Sequence, residues 1–242
     1  MNLKNKLLLI SLFAIAMAFL ESSVVVYLRE LLYPEGFSFP LKRLEGGLAL
    51  TEILRELATL VMLITVALLA GRKFSVSFAW FLYSFAIWDI FYYVFLKALL
   101  DWPASLLEWD ILFLIPLTWT GQVLSPLIVC VLMICFAGVI IYFSQKGIPT
   151  KIKLREWLIL IAGALVVIIS FTWDYSGYIL REYSLAEIWN IPVSSSLLDY
   201  ATAYIPGQFN WWLFSAGNLM ILSAIALLWY RLKNIATKRL SD

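Results

Sequence analysis

Residues 123–143, with the sequence VLSPLIVCVLMICFAGVIIYF, form a continuous stretch without a single charged side chain. A helix of about 20 apolar residues is long enough to span the hydrocarbon core of a bilayer. Inside lipid, every backbone N–H and C=O group needs a partner within the protein, which a helix provides and an open strand does not. The stretch therefore predicts a transmembrane α-helix.

The composition extends this prediction to the whole chain. Of its 242 residues, 63% are hydrophobic and 14% are charged, whereas a soluble domain carries about 25% charged residues. A soluble fold of this length has too little interior to bury so much apolar surface. We therefore expect an all-α, polytopic membrane helix bundle that forms a single domain over residues 1–242. Six segments qualify as transmembrane helices, namely 7–28, 48–69, 76–99, 123–143, 157–177 and 209–230.

The first segment also resembles a cleavable signal peptide. Lys4 and Lys6 precede an apolar run, and Ala16-Met17-Ala18 resembles a cleavage site. Apolar residues resume at 24–28, however, and bring the segment to the length of a span. We therefore expect the first helix to remain, and cleavage that leaves five spans is the alternative.

The basic residues indicate on which side of the membrane each loop lies. With the N-terminus inside, twelve of the eighteen Lys and Arg residues fall in short cytoplasmic segments, as the positive-inside rule requires. Because the loops are compact and no organelle signature is visible, we predict a multi-pass protein of a prokaryotic plasma membrane with both termini in the cytoplasm. The twelve residues are Lys4, Lys6, Arg72, Lys73, Lys146, Lys151, Lys153, Arg155, Arg231, Lys233, Lys238 and Arg239.

The composition argues against several classes of function. The net charge of +2 and the lack of a basic stripe argue against a nucleic-acid partner, and the short cytoplasmic loops leave no room for a nucleotide site. The chain has no histidine, which removes the commonest zinc ligand and general base. Cys130 and Cys135 face different sides of one predicted helix, so neither a disulfide nor a metal site is expected there.

The loop after the third span carries a helix signal. Asp101-Trp102-Pro103 combines an N-cap residue with a proline in the first turn. Residues 106–117 continue as an apolar run that is too short to span a bilayer. We therefore predict a re-entrant or interfacial helix on the outer side.

The loop of residues 178–208 carries two further helix signals. Ser184 and Glu187 have the spacing of a capping box. Residues 194–196, a run of three serines, are expected to begin a second short helix that continues to Tyr204. We expect both helices to lie along the outer membrane surface.

Ionisable side chains inside the predicted spans are the main functional signal. A charge at the centre of a transmembrane helix costs roughly 2.5–3.5 kcal/mol, so it usually has a partner or a function. These side chains all fall in the half of the membrane that is predicted to face outside. The distribution predicts a polar cavity that is open toward the outside and closed toward the cytoplasm. The residues assigned to this ligand or ion pocket are Glu21, Glu52, Arg55, Glu56, Asp89, Tyr93, Lys97 and Asp174.

Helical spacing places the charged residues of 52–56 on one face and every fourth residue of 89–97 on another. The cluster contains five acids and two bases, so pairing within it is incomplete. The surplus acids must be protonated, hydrated, bound to a cation, or paired with Arg29 or Arg181. The alternative without a ligand is a set of solvated helix ends and structural pairs between helices.

Three functions are compatible with this pattern. The first is binding and transport of a cation, a proton or a small polar solute. The second is a non-catalytic structural or assembly subunit, with a membrane-protein partner or a second copy of the chain. The third, ranked last because no nucleophile motif is visible, is an intramembrane enzyme that acts on a lipid substrate at the outer leaflet. We predict no cofactor, and a divalent cation at the carboxylate cluster is the alternative, because Mg²⁺ and Mn²⁺ prefer oxygen ligands.

Overall fold

The computed structural model describes residues 2–43, 46–115, 117–188 and 194–241. Within these residues, six helices are long and apolar enough to cross a membrane. Two short helices and one β-hairpin complete the secondary structure of this part of the chain. The elements in chain order are α1 (Leu3–Leu32), α2 (Gly46–Ala70), α3 (Phe74–Leu100), β1 (Trp109–Phe113), β2 (Trp119–Gln122), α4 (Leu124–Gln145), α5 (Leu154–Ile179), α6 (Leu185–Ile188), α7 (Ser195–Thr202) and α8 (Trp211–Ser241).

The six predicted spans coincide with α1, α2, α3, α4, α5 and α8, which confirms the prediction of an all-α membrane helix bundle. The sixth helix differs most from its predicted bounds. It begins at Trp211 rather than at residue 209 because the Asn210 side-chain oxygen accepts a hydrogen bond from the Leu213 N–H at 3.0 Å and so caps the helix. At its other end it continues through polar residues to Ser241, beyond the apolar segment on which the prediction rested.

The helices pack in a defined order. Helix α3 lies against α1, α2 and α4, and α8 lies against α4 and α5. Helices α5 and α8 approach closely because Gly163 and Gly217 face each other, and a Cβ atom on Gly163 would lie 2.9 Å from the Gly217 carbonyl oxygen. Helices α2 and α5 thus lie at opposite ends of the arrangement and have no extensive contact with each other.

Both ends of the chain lie at one end of the bundle, here called the terminal end. There the Lys6 ammonium donates to the Ala70 carbonyl at 2.6 Å, and Arg231 donates to Glu156 at 2.6 and 2.8 Å. A large cluster of buried apolar side chains, which includes Trp80, fills the bundle next to these contacts. The opposite end, which carries the β-hairpin, is called the hairpin end.

The predicted helix over residues 106–117 is wrong. The described part of this segment contains strand β1, which pairs antiparallel with β2 so that Trp109 lies opposite Gln122. Asp101 does not cap a new helix; it ends α3 in the left-handed conformation, with φ of 52°. The alternating aromatic and β-branched residues of 109–113 favour a strand, and periodicity does not separate a short apolar strand from a short helix.

The two helices predicted in the loop of residues 178–208 are confirmed. The Glu187 carboxylate accepts a hydrogen bond from the Ser184 N–H at 2.8 Å, which is the glutamate half of a capping box, and a second one from the Ser184 hydroxyl at 2.7 Å. Ser194 caps α7, whose buried residue Leu197 packs against Ile179 of α5. Their position along the membrane surface stays a prediction.

Candidate functional site

A cavity of about 610 Å³ lies within the hairpin end of the bundle. Its walls come from α1, α2, α3, the hairpin, α4 and α5, with contributions from the α1–α2 connection and from α7. This volume falls within the range of about 300–1,000 Å³ that is typical of small-molecule sites. The ionisable residues with acidic or basic side chains in its lining are Glu21, Arg29, Lys42, Glu52, Arg55, Glu56, Asp89 and Asp110.

Arg55 joins α1 and α2 at one wall of the cavity. Its guanidinium donates to the Glu52 carboxylate at 2.6 and 3.0 Å and pairs with Glu21 as well. The Thr59 hydroxyl donates to the second oxygen of Glu21 at 3.2 Å. A planar guanidinium with several donors suits this arrangement because it serves two carboxylates at once.

Glu56, one turn beyond Glu52 on α2, holds the hairpin. Its two carboxylate oxygens accept hydrogen bonds from the backbone N–H groups of Leu114 at 2.8 Å and Ile115 at 3.0 Å. These residues directly follow β1, so the contact fixes the end of that strand against α2. Both oxygens of Glu56 therefore already have hydrogen-bond partners in the segment that follows β1.

Arg29 and Asp110 form a second buried pair. The guanidinium of Arg29 lies 3.9 Å from the ring centroid of Trp102 and 4.5 Å from that of Phe37, and one of its nitrogens is 3.6 Å from an Asp110 oxygen. The Tyr93 hydroxyl donates to the other Asp110 oxygen at 3.2 Å. Burial of Asp110 in β1 raises the pKa of its carboxyl group to about 6, although the positive charge of Arg29 opposes this rise.

Asp89 differs from the other acids of the cavity. Its hydrogen-bond partner is the Cys130 thiol, with a sulfur–oxygen distance of 3.1 Å, and a thiol is a weak donor. The neighbouring ionised group that acts on it most strongly is another acid, Asp110. Among the described residues that line the cavity, Asp89 is the one carboxyl group that pairs with neither a basic side chain nor a backbone N–H.

Two tryptophans that line the cavity have indole N–H groups without an acceptor in the described part of the chain. The Nε1 atoms of Trp88 and Trp119 are buried, and no oxygen of the described residues accepts a hydrogen bond from either. The ring of Phe113 lies close to both, with centroids 6.5 Å from Trp88 and 5.7 Å from Trp119. A buried donor without a partner costs about 1–3 kcal/mol, so an acceptor atom that reaches either group would stabilise the protein.

The structure brings six of the eight predicted pocket residues to one cavity. Whether they bind a ligand stays a prediction, because some are already paired with each other. The six are Glu21, Glu52, Arg55, Glu56, Asp89 and Tyr93.

The other two predicted residues lie outside the cavity. Lys97 is half-exposed and pairs with Asp101, with a nitrogen–oxygen distance of 2.7 Å. Asp174 accepts hydrogen bonds from the Tyr204 hydroxyl at 2.6 Å and from the Gly207 N–H at 2.9 Å. It thereby ties α5 to the segment that follows α7, which is a structural contact.

Sequence patterns did not predict that Asp110 lines the cavity, or that the indole N–H groups of Trp88 and Trp119 have no acceptor among the described residues. Asp110 falls in a segment that is predicted as an outer helix, and its place in the cavity depends on the hairpin, which lies between α2 and α5. The sequence predicts Arg29 as a possible partner of the surplus acids, but it does not predict that Arg29 pairs with Asp110. The usable signal was that Asp110 is flanked by Trp109 and Ile111, an apolar context in which a carboxyl group needs a partner.

Within residues 2–43, 46–115, 117–188 and 194–241, no group of three or more acidic or cysteine side chains is arranged to hold a metal ion.

Comparisons of the chain with protein-family models, with curated proteins and with solved structures found no match. The chemistry of the cavity is therefore the basis for assigning a function.

Proposed function

We propose that this integral membrane protein binds a small polar organic solute in the cavity at its hairpin end and moves it across the membrane. The observation that carries the proposal is a set of poorly satisfied polar groups in the cavity wall. Among the described residues, the N–H groups of Trp88 and Trp119 have no acceptor, and the carboxyl group of Asp89 has a weak donor, the Cys130 thiol, as its hydrogen-bond partner. Buried polar groups are normally hydrogen-bonded. A bound solute with donors and acceptors provides the missing partners.

The size of the cavity supports an organic solute rather than a bare ion. A volume of about 610 Å³ exceeds what one ion fills, and most of the acids are already held by Arg55, Arg29 or backbone N–H groups. Drug-sized ligands fit cavities of this volume, with a few polar groups that fix their orientation.

The packing beneath the cavity supports a transport cycle in which one side is closed. The buried apolar cluster around Trp80, Phe136 and Leu228 separates the cavity from the terminal end. Transporters that alternate access hold their substrate near the middle of the membrane while one side is sealed. If the terminal end faces the cytoplasm, as the basic residues predict, the cavity is loaded from outside.

The binding step is tested with purified protein in a neutral detergent. Small polar solutes are screened for an increase in thermal stability, because a ligand that binds only the folded state stabilises it by about 2.7 kcal/mol at one hundred times its Kd. Ala164→Phe, which places a ring in the cavity wall, should abolish every such shift. Leu165→Phe, at the next residue of α5 but on its exposed side, should leave the shifts unchanged.

Transport is tested with the solute that binds best. Proteoliposomes preloaded with this solute should take up its labelled form by exchange, and Ala164→Phe should prevent that uptake. Stabilisation without exchange would retain binding and reject transport. A screen without any stabilising solute would reject the proposal and favour the structural subunit instead.

A further inference from the structure

Asp89 points to the chemical class of the solute. Its carboxyl group lines the cavity with the Cys130 thiol as its hydrogen-bond partner, and a second acid, Asp110, lines the same cavity. An ionised carboxylate inside a membrane protein normally pairs with a positive charge. Since no basic side chain of the described residues pairs with Asp89, the ligand is the available source of that charge.

The overall charge of the lining favours the same sign of ligand. Five carboxyl groups and three basic side chains line the cavity. One of the three bases, Lys42, is exposed, and the other two, Arg29 and Arg55, are held by acids of the cavity itself. A cationic group is therefore attracted into this cavity, whereas an anionic group meets uncompensated negative charge.

Aromatic rings that pack against one another line the same cavity as Asp89. The ring centroid of Phe113 lies 6.1 Å from that of Phe85, 6.5 Å from Trp88 and 5.7 Å from Trp119, and Tyr92 also lines the cavity. The faces of aromatic rings attract cations, and aromatic cages bind quaternary ammonium groups for this reason. They offer no ligand atoms to a metal ion, so the walls suit an organic cation.

The second observation comes from the buried indole donors. Trp88 is only 5% exposed, and neither its N–H nor that of Trp119 has an acceptor among the described residues. A ligand that was only a cation would leave both donors unpaired. An oxygen atom on the same ligand removes this cost.

From these observations we propose that the solute is an organic ammonium compound that also carries a hydroxyl, ether or carbonyl oxygen. Asp89 is the counter-ion of the ammonium group, the aromatic rings around Phe113 form part of the cavity wall next to it, and the indole N–H groups of Trp88 and Trp119 donate to the oxygen. This assignment rests on the proposed function, because it names the class of solute that the cavity takes.

The experiment compares charged and neutral probes of equal shape. Choline and 3,3-dimethyl-1-butanol differ in that a quaternary nitrogen replaces a quaternary carbon, and tetramethylammonium and benzyltrimethylammonium extend the size range. Binding to the purified protein is measured by titration calorimetry in a neutral detergent. At least one ammonium probe should bind, and choline should bind at least tenfold more tightly than its neutral analogue.

Two variants locate the effect. Asp89→Asn keeps the shape of the side chain and should weaken ammonium binding at least tenfold without changing the affinity for 3,3-dimethyl-1-butanol, whereas Asp199→Asn, at an exposed acid paired with Arg43, should change neither. Phe113→Leu removes one aromatic face without a change of charge and should weaken ammonium binding by about three- to tenfold. This second variant keeps the test decisive if Asp89→Asn does not fold.

The outcomes separate this inference from the proposed function. If other solutes bind and Ala164→Phe blocks them, but the ammonium probes do not bind or bind no better than the neutral analogue, the ammonium assignment is overturned and the cavity remains a solute site. If neither the ammonium probes nor any solute of the wider screen binds, both proposals are overturned together. Equal ammonium affinity in the natural protein and in Asp89→Asn also overturns the assignment.

Discussion

Single residues decide the charge balance of the cavity. Arg55 pairs with two carboxylates on different helices, that of Glu21 on α1 and that of Glu52 on α2. All three side chains are mostly removed from solvent. An exposed ion pair contributes little, but removal of one partner of a buried pair leaves an uncompensated charge. Removal of this guanidinium should therefore lower the free energy of unfolding more than removal of one from an exposed pair.

Arg55→Gln should lower the stability of the protein by about 2 kcal/mol or more, because two carboxylates lose their partner in a poorly hydrated site. The matched control is Arg43→Gln. Its pair with Asp199 has a nitrogen–oxygen distance of 2.6 Å, but the two side chains are 48% and 59% exposed, so the loss should stay below about 1 kcal/mol. Thermal denaturation of the purified variants measures both, and equal losses would refute the structural role of Arg55.

Asp110 should make stability depend on pH. Burial raises the pKa of this carboxyl group from 3.8 to about 6, so the folded protein binds more protons than the unfolded chain between about pH 4 and 6. Stability attributable to Asp110 is therefore present at low pH and is lost as the pH rises through this window. Asp110→Asn should flatten the dependence of the melting temperature on pH over this range, whereas Asp199→Asn should leave it unchanged.

At the scale of secondary-structure elements, the hairpin shapes the cavity. Strands β1 and β2 lie between α2 and α5, two helices that have no extensive contact of their own. A helix in this segment would satisfy its own backbone groups. The strand instead ends with two N–H groups that need acceptors, and the Glu56 carboxylate supplies them.

Glu56→Ala should loosen the hairpin, because the N–H groups of Leu114 and Ile115 lose their acceptor. Amide hydrogen exchange of residues 109–115 should become at least tenfold faster, while exchange in α3 and α4 stays unchanged, since local opening free energies vary across a structure. Glu35→Ala, at an exposed acid in the α1–α2 connection, is the control and should not alter hairpin exchange. Unaltered exchange in Glu56→Ala would show that the hairpin is held by other contacts.

The close crossing of α5 and α8 gives a prediction for Gly217, with Gly138 of α4 as its control. A Cβ atom on Gly217 would lie 2.8 Å from a Val167 side-chain carbon and 2.9 Å from the Gly163 carbonyl oxygen. Gly217→Ala should therefore destabilise the protein by about 1–3 kcal/mol. Gly138→Ala in α4, where an added Cβ meets nothing within 4 Å, should be neutral or stabilise by up to about 1 kcal/mol through helix propensity. Thermal denaturation distinguishes the two, and equal behaviour would contradict the close packing.

At the scale of the whole molecule, charge and packing divide the bundle in two. The terminal end carries the contacts of Lys6 and Arg231 and a large apolar cluster. The hairpin end contains the cavity and its paired acids. The distribution of basic residues predicts which of the two ends faces the cytoplasm.

The orientation is tested by labelling in intact cells. In a background without Cys130 and Cys135, Ser38→Cys in the exposed α1–α2 connection should react with a maleimide that does not cross membranes. Arg72→Cys at the terminal end should react only after the cells are opened, and a green fluorescent protein fused to the C-terminus should fluoresce. The opposite labelling pattern would invert the predicted topology and place the cavity on the cytoplasmic side.

The six transmembrane helices follow from the sequence alone, because a helix in a bilayer needs about 20 apolar residues whatever its neighbouring helices are. The sequence also located most of the ionisable cavity residues, since a charge inside a span is rare and therefore visible. The partners of these ionisable residues depend on how the helices and the hairpin pack together. Asp174 accepts hydrogen bonds from the segment before α8, and Lys97 pairs with the residue that ends its own helix. Asp110, by contrast, lines the cavity from the hairpin. Pairing depends on which helix faces meet and on how a short apolar loop folds, and neither is encoded in the period or the charge of a single segment.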